Sequence, residues 1–386
     1  MTRNLNFPIL ELEKRIISNK NRYKLKSEES EEIKKTLYNQ NILITGACGS
    51  IGKLFSKKIY NFNFKKIYFL DKNENALADL NRELLLLDEK KIKKINFVCT
   101  DITSFNLDNF LFNNRIQHYY NFAAIKHVRS EENLESLKYM FKTNTSSFCP
   151  NKKNYLKLFF SISSDKSVLP QSFLGISKYF MEIYLSNFAK INKSVFVSSV
   201  RFANVCFSEG SYLKYVKERI EQKICFGLPM NIKRYFITHD EAISLCFKSI
   251  LNKNKNKILM PSDKLMNKEY KLSFLVKKLL HLYGYKIKYS KKKLLIKNNL
   301  FPVIPSNENL EGQKNYEEFY NKRLDKVIYD NDLQTMKVNL SHKIKVNGII
   351  KKLLMLKSKN KITKLIQKKI NTFKPKKKTI KVSHLI

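Results

Sequence analysis

The sequence predicts an α/β protein, a doubly wound parallel sheet followed by a smaller mixed lobe. Three observations carry that prediction. Short apolar runs rich in β-branched residues alternate with helix-period segments between residues 41 and 200. The first run leads straight into three closely spaced glycines, Gly46, Gly49 and Gly52. After about residue 207 the alternation gives way to short helices and loops. With 386 residues, 43 % of them hydrophobic, the chain can bury a large core. That excludes a wholly disordered chain and a mini-protein stapled by disulfides or metal.

Residues 1–40 read as a helical, charged lead-in, with 28–35 solvated and order beginning at Asn41. Strands are predicted at 41–45, 66–70, 95–99, 118–122, 156–161 and 195–200. Helices separate them, among them 53–60, which the glycines open, and the Leu-rich 76–87. Residues 207–335 form the mixed lobe, with strand-like pieces at 257–260 and 287–289 and scope for an element to return to the core. Residues 336–386 form a lysine-rich basic tail.

Lys plus Arg number 74 and Asp plus Glu 33, a net charge of +41. Such a balance suits nucleic acid, anionic membrane or phosphorylated small molecules. Scattered lysines on a solvated surface account for most of it. The tail is different. No acid follows Asp332, and 341–386 hold fifteen lysines and no arginine. Ile350, Leu353, Leu354, Ile362, Leu365 and Ile366 recur there at helical spacing. A basic amphipathic helix of this kind can lie on an anionic membrane surface. A solvated tail and a helix packed on the body fit equally well. Nucleic acid is set aside, because the tail lacks aromatics to stack bases and arginine to read them.

The six cysteines are Cys48, Cys99, Cys149, Cys206, Cys225 and Cys246. None has CxxC or zinc-ligand spacing, so no metal is expected and they read as buried free thiols. The N-terminus has no apolar signal region, and no apolar stretch reaches 18 residues. The expectation is a cytoplasmic protein, at most peripheral to the inner face of the membrane.

Chemistry concentrates at the predicted strand ends. Thr45-Gly-Ala-Cys-Gly-Ser-Ile-Gly52 follows a strand and opens a helix. Three glycines at this spacing let backbone approach a pyrophosphate, and the helix N-terminus supplies free N–H groups. This makes 41–206 a dinucleotide-binding domain of Rossmann type. Asp71 ends the next strand, where a carboxylate hydrogen-bonds ribose hydroxyls and repels a 2′-phosphate, favouring NAD over NADP. Lys72 softens that exclusion. Asp101, after the third strand, is placed to meet the adenine amino group. Ser163-Ser164-Asp165-Lys166 closes the fifth strand, with Lys178 on the following helix. A neighbouring carboxyl and amine can supply an acid and a base on one loop.

These stretches, together with Ala123-Ala124-Ile125-Lys126-His127-Val128, Arg201-Phe202-Ala203-Asn204, Lys233-Arg234-Tyr235-Phe236 and Gly312-Gln-Lys-Asn-Tyr-Glu-Glu-Phe319, resemble the extended short-chain dehydrogenase/reductases. Within that superfamily the chain resembles the CapD-like polysaccharide-biosynthesis group, typically UDP-N-acetylglucosamine 4,6-dehydratases, in a short soluble form. The matching motifs run in family order from about residue 41 to 320.

The resemblance implies an NAD-dependent lyase that turns UDP-GlcNAc, or a close relative, into a UDP-4-keto-6-deoxy sugar for surface glycan synthesis. It implies Asp165 as the acid at the C6 hydroxyl, Lys166 as the base at C5, and Ser164 as the neighbouring hydroxyl. Lys178 would bind the nicotinamide ribose. Gly46, Gly49, Ser50, Ile51, Gly52, Asp71, Lys72, Asp101, Ile102, Ala123, Ala124 and Asn144 would line the cofactor site. Lys126 and His127 would line the sugar site, and Asn204, Ser211 and Arg234 would hold diphosphate and uridine. The substrate lobe would be 207–335, and relatives suggest a homo-oligomer.

The chain departs from the pattern at Leu174, which stands where the superfamily has tyrosine. That leaves the acceptor of the C4 hydroxyl proton open among Ser164, Lys166 and water. The stretch 144–166 is also short and contains Pro150, a poor helix residue. Two other readings remain at this point: a nucleotide-sugar 4-epimerase, and a non-catalytic dinucleotide-binding scaffold at the membrane.

Overall fold

The computed structural model describes residues 7–18, 20–126, 128–146, 155–262, 269–290, 295–296, 298–306, 317–322, 325–330, 333–337, 346–370 and 373. Six strands build the predicted sheet: β1 (Asn41–Thr45), β2 (Lys66–Asp71), β3 (Ile95–Cys99), β4 (His118–Asn121), β5 (Leu158–Ile162) and β6 (Phe196–Val200). They lie in the order β3-β2-β1-β4-β5-β6, all parallel. Every residue of β1 is buried, as expected of a central strand covered on both faces. The strand order reverses between β1 and β4, which opens a crevice at the carboxyl ends of these strands.

The sheet draws on more of the chain than 41–206. Lys257–Pro261 pairs in parallel with β6, with Lys257 opposite Ser198. Leu333–Lys337 then pairs antiparallel with Lys257–Pro261, and Val327–Asp330 antiparallel with Leu333–Lys337. The chain returns to the main sheet twice, and the expected boundary at 335/336 falls inside a strand. What stays separate is a lobe built on the parallel strands Phe226–Pro229, Leu300–Ser306 and Lys286–Tyr289. Its core packs Leu213, Val216, Leu228, Leu275, Leu279 and Phe301.

The lead-in is not a solvated appendage. The helix Ile9–Ile16 inserts Leu12 and Ile16 into the lobe core. Glu13 is buried with it and accepts from both the backbone N–H and Nδ1 of His239. The helix Ser27–Leu37 presents charges outward but buries Ile33 and Leu37 completely against the sheet. Order therefore begins well before Asn41. Two apolar positions four apart suffice to anchor a short helix whose other faces are charged.

The tail also packs on the body. The helices Val346–Met355 and Lys359–Lys369 bury Ile349, Leu353, Ile362 and Ile366 in the same core as Tyr119, Phe159 and Phe180. The apolar stripe that suited a membrane surface is spent within the molecule. Only lysines and polar groups such as Lys351, Lys352, Lys361 and Lys368, with Met355 between the helices, face solvent. Leu353→Ala is expected to cost about 3 kcal/mol in urea unfolding, whereas a solvated tail would lose nothing measurable. No helix among the described residues is long and apolar enough to cross a membrane.

Of the described cysteines, only Cys206 and Cys246 are buried; Cys48 and Cys225 are half-buried and Cys99 is exposed. Cys149, like Pro150, lies outside the described residues.

Candidate functional site

The glycine loop fills the crevice floor. Gly46 has φ +65°, and a Cβ there would lie 2.5 Å from the Ala123 nitrogen. A Cβ on Gly52 would lie 2.0 Å from the Gly46 carbonyl oxygen. Both glycines are thus demanded by the protein's own packing of β1 on β4 and of the helix Ser50–Tyr60 on the loop. Gly49 is different. Its nearest neighbour would be 3.5 Å away, an ordinary contact, and its φ of −66° suits any residue. The space beside it fits the close approach of a ligand phosphate at a helix N-terminus. Gly49→Ala is expected to leave the melting midpoint unchanged and to weaken dinucleotide binding at least about tenfold, roughly 1.4 kcal/mol, read by titration calorimetry. Ser50 Oγ accepts from the Glu209 N–H at 2.9 Å and ties the loop after β6 to this floor, while the half-buried Ile51 packs against the core.

Asp71 is held by its own surroundings. Its Oδ2 accepts from the Cys48 N–H at 3.0 Å and its Oδ1 from Asn73 N–H at 3.1 Å. A carboxylate has about four acceptor sites, so capacity remains for ribose hydroxyls. Lys72 leans away, with Nζ 3.3 Å from the Tyr139 hydroxyl and over its ring. Tyr139 in turn donates to Asp101, which also accepts from Thr103 N–H at 2.7 Å. Burial works against ionisation of Asp101, but the bonds from Tyr139 and Thr103 outweigh it and hold its carboxyl below the usual range. Ile102 beside it is buried in the core.

Asn121 knots the strand ends together. It accepts from Thr45 Oγ1 at 2.8 Å and Ala123 N–H at 3.1 Å, and donates to Ser161 Oγ at 3.0 Å. Asn144 grips the following loop, accepting from Ile125 N–H at 2.8 Å and donating to Ile125 C=O at 3.0 Å. Its second amide hydrogen goes to Ser177 Oγ at 2.8 Å. Both hydrogens are committed within the protein, and Asn144 fixes the loop after β4 at Ile125.

Beyond β5 the chain makes one tight turn, Asp165–Ser167. Ser164 Oγ donates to Asp165 Oδ1 at 2.6 Å, and Lys166 Nζ donates to the same oxygen at 3.3 Å. Asp165 is only 2 % exposed. The helix Phe173–Ile191 lies directly on this turn, so close that a Cβ at Gly175 would meet the Lys166 carbonyl at 2.4 Å. Lys178, on the same helix, donates to the Ile162 C=O at 3.1 Å. Burial pushes its ammonium down to about 8, against the pull of Glu182. Leu174 is buried, with its N–H on Glu131, so it places no polar group at the tyrosine position.

Glu182 is a residue the sequence reading missed. Its Oε1 accepts from Ser163 at 2.6 Å and Ser167 at 3.0 Å, which flank Asp165 and Lys166. Both its oxygens bind Arg201 at 2.7 Å, and Arg201 donates on to the Phe319 C=O at 2.6 Å. One buried ion pair therefore fixes both ends of the turn and the segment around Phe319. The available signal was a lone Glu on a helix whose neighbours, Met181 and Ile183, are core residues.

The other residues expected at the site lie on four further segments. Lys126 is exposed on the loop after β4, yet the surrounding protein pushes its ammonium down to about 8, opposed by Glu209. His127 lies outside the described residues. Ser211 caps the helix Tyr212–Glu221, accepting from the Lys214 N–H at 3.4 Å, so its hydroxyl stands at that helix's start. Asn204 and Arg234 meet at a second missed residue, Glu317, whose side chain is 5 % exposed. Its Oε2 accepts from Tyr235 N–H at 2.7 Å, Asn204 Nδ2 donates to its Oε1, and Arg234 Nε is 3.8 Å from that oxygen. Among the described residues no group of His, Cys, Asp and Glu could hold a metal ion.

Comparison with known proteins agrees with this architecture. The chain is 28 % identical over 306 residues to the polysaccharide biosynthesis protein EpsC of Bacillus subtilis, covering 76 % of this chain and 47 % of that one. It is 27 % identical over 342 residues to the capsular polysaccharide biosynthesis protein CapD of Staphylococcus aureus, covering 86 % and 54 %. The chain thus spans about half the length of these two relatives. The solved structure of Pen from Bacillus thuringiensis shares the fold at 20 % identity, with a TM-score of 0.66 over 80 % of this chain and 90 % of that one. Residues 42–326 match the profile described as polysaccharide biosynthesis protein, and the chain belongs to that family.

Proposed function

We propose that this protein is an NAD-dependent nucleotide-sugar 4,6-dehydratase acting on UDP-N-acetylglucosamine or a close relative. The observation that supports this most is the buried Asp165 carboxylate, held by Ser164 and Lys166 on one turn at the carboxyl end of β5. An elimination needs an acid for the departing C6 hydroxyl and a base for the C5 proton, and this turn sets both side by side. Epimerisation at C4 requires neither, so the pair favours dehydration. A non-catalytic scaffold would have no use for Lys178, buried with its ammonium on the Ile162 carbonyl.

Gly46, Gly49 and Gly52 with Asp71 would hold the dinucleotide. Bound there, the dinucleotide would supply a hydride acceptor for C4 and the hydride donor for C6. Lys178 brings a positive charge to the crevice floor, which favours an alkoxide forming at a neighbouring hydroxyl. The proton that leaves the C4 hydroxyl passes through water to Asp165, which gives it to the departing C6 hydroxyl, so that water leaves. Lys166 takes the C5 proton and later returns a proton to C5. Glu182 keeps the Ser163–Ser167 turn from drifting while these protons move. Incubating the protein with NAD and UDP-GlcNAc should give a product lighter by one water, seen by mass spectrometry. A product of unchanged mass, the 4-epimer, would contradict the proposal.

A further inference from the structure

We infer that Glu317 is a positioning residue that fixes the amide of Asn204 with its carbonyl oxygen toward the crevice, so that Asn204 recognises a hydrogen-bond donor on the sugar nucleotide. This rests on the nucleotide-sugar reading above and goes beyond it by giving the polarity of one contact.

Asn204 has two amide hydrogens, and both are used. One goes to the Tyr235 carbonyl at 3.2 Å and the other to Glu317 Oε1. Both partners are acceptors only, so the amide cannot be turned over without facing oxygen to oxygen. Glu317 is itself pinned, because its Oε2 takes the Tyr235 N–H at 2.7 Å. What Asn204 has left to offer is its carbonyl oxygen. A diphosphate carries no donor at neutral pH, so Asn204 does not hold it. That role falls to cationic groups such as Arg234. The donor Asn204 reads is an N–H or O–H, on either the uridine or the hexose.

The protonation of Glu317 should show in binding. Burial, then the nearby charge of Asp165, push its carboxyl up to about 7, while Lys166 and Arg234 pull it down. A protonated Glu317 keeps its bond to Tyr235 N–H only by turning its O–H toward Asn204, which sets donor against donor. A glutamine does the same permanently. Asn204 then loses that partner, and turning over would set its oxygen against the Tyr235 carbonyl, so neither orientation is fully satisfied and the carbonyl oxygen is no longer held for the ligand.

The test uses calorimetric titration of UDP-GlcNAc and of UDP into the full chain, with NAD binding and the melting midpoint as controls for folding. Glu317→Gln should weaken UDP-GlcNAc at least tenfold at pH 8 with NAD affinity unchanged. Wild-type affinity should fall as the pH drops through about 7, and the variant's should not follow it. Asn204→Asp should also bind poorly, because two carboxylates then face each other. The double variant Glu317→Gln/Asn204→Asp should regain part of the loss, since the introduced amide would donate to one oxygen of the new carboxylate and leave the other as acceptor, although the first oxygen also faces the Tyr235 carbonyl. Loss for UDP-GlcNAc alone would place the donor on the hexose; loss for UDP as well would place it on the uridine. A wild type that binds and a Glu317→Gln variant within twofold of it would overturn the inference alone. A wild type that binds neither ligand would overturn the nucleotide-sugar reading and this inference with it.

Discussion

Asp165→Asn is expected to lower kcat about 10³-fold while UDP-GlcNAc and NAD still bind. The carboxyl lies at the centre of the turn, 2 % exposed, with Ser164 and Lys166 on one oxygen. An amide keeps the shape and one acceptor but cannot release a proton to the leaving hydroxyl. The loss should therefore fall on kcat rather than KM. Stopping the reaction after a single turnover should show substrate bound and unconverted. A variant that turns over within tenfold of wild type would remove Asp165 from the acid role.

The second large effect is on stability. Glu182→Gln is expected to cost about 3–5 kcal/mol in chemical unfolding, because it leaves the fully buried Arg201 without its counter-charge. Ser163 and Ser167 lose their shared anionic acceptor at the same time. The double variant Glu182→Gln/Arg201→Met should recover much of the stability, since no lone charge is then buried. It should not recover full activity, because the turn has only a weaker, uncharged acceptor and the Phe319 carbonyl has lost its donor. Equal instability of the single and double variants would show that the hydrogen bonds, not the charge, dominate.

The parts of the fold that were legible in the sequence are those whose signal is local. β1 and β3 fall at 41–45 and 95–99 as expected, since each is a short apolar run with a sharp break after it. β5 begins two residues later than expected, at Leu158, because Leu156 is apolar without belonging to the ladder. The return of Lys257–Pro261 to the main sheet has no local mark; a short apolar run fits a lobe strand equally well. The charges of 28–35 masked the two buried positions Ile33 and Leu37. For the tail, the amphipathic pattern was visible, but its partner was not: a membrane and the Phe159 face of the sheet ask for the same stripe.

The candidate site divides in the same way. The glycine loop, Asp71 and the Ser164–Lys166 turn sit on continuous motifs, so their places at strand ends followed from spacing. Glu317 gains its meaning from Asn204, 113 residues away, and Glu182 from Arg201, 19 residues on at the end of β6. Such contacts are made by topology, and no spacing announces them.

Dehydration is tested most directly by the reaction of the full protein with NAD and UDP-GlcNAc in D2O, followed by NMR. The expected result is a 4-keto-6-deoxy product carrying deuterium at C5, where Lys166 returns a solvent-derived proton. A 4-epimer that retains hydrogen at C5, formed while both ligands bind, would contradict it.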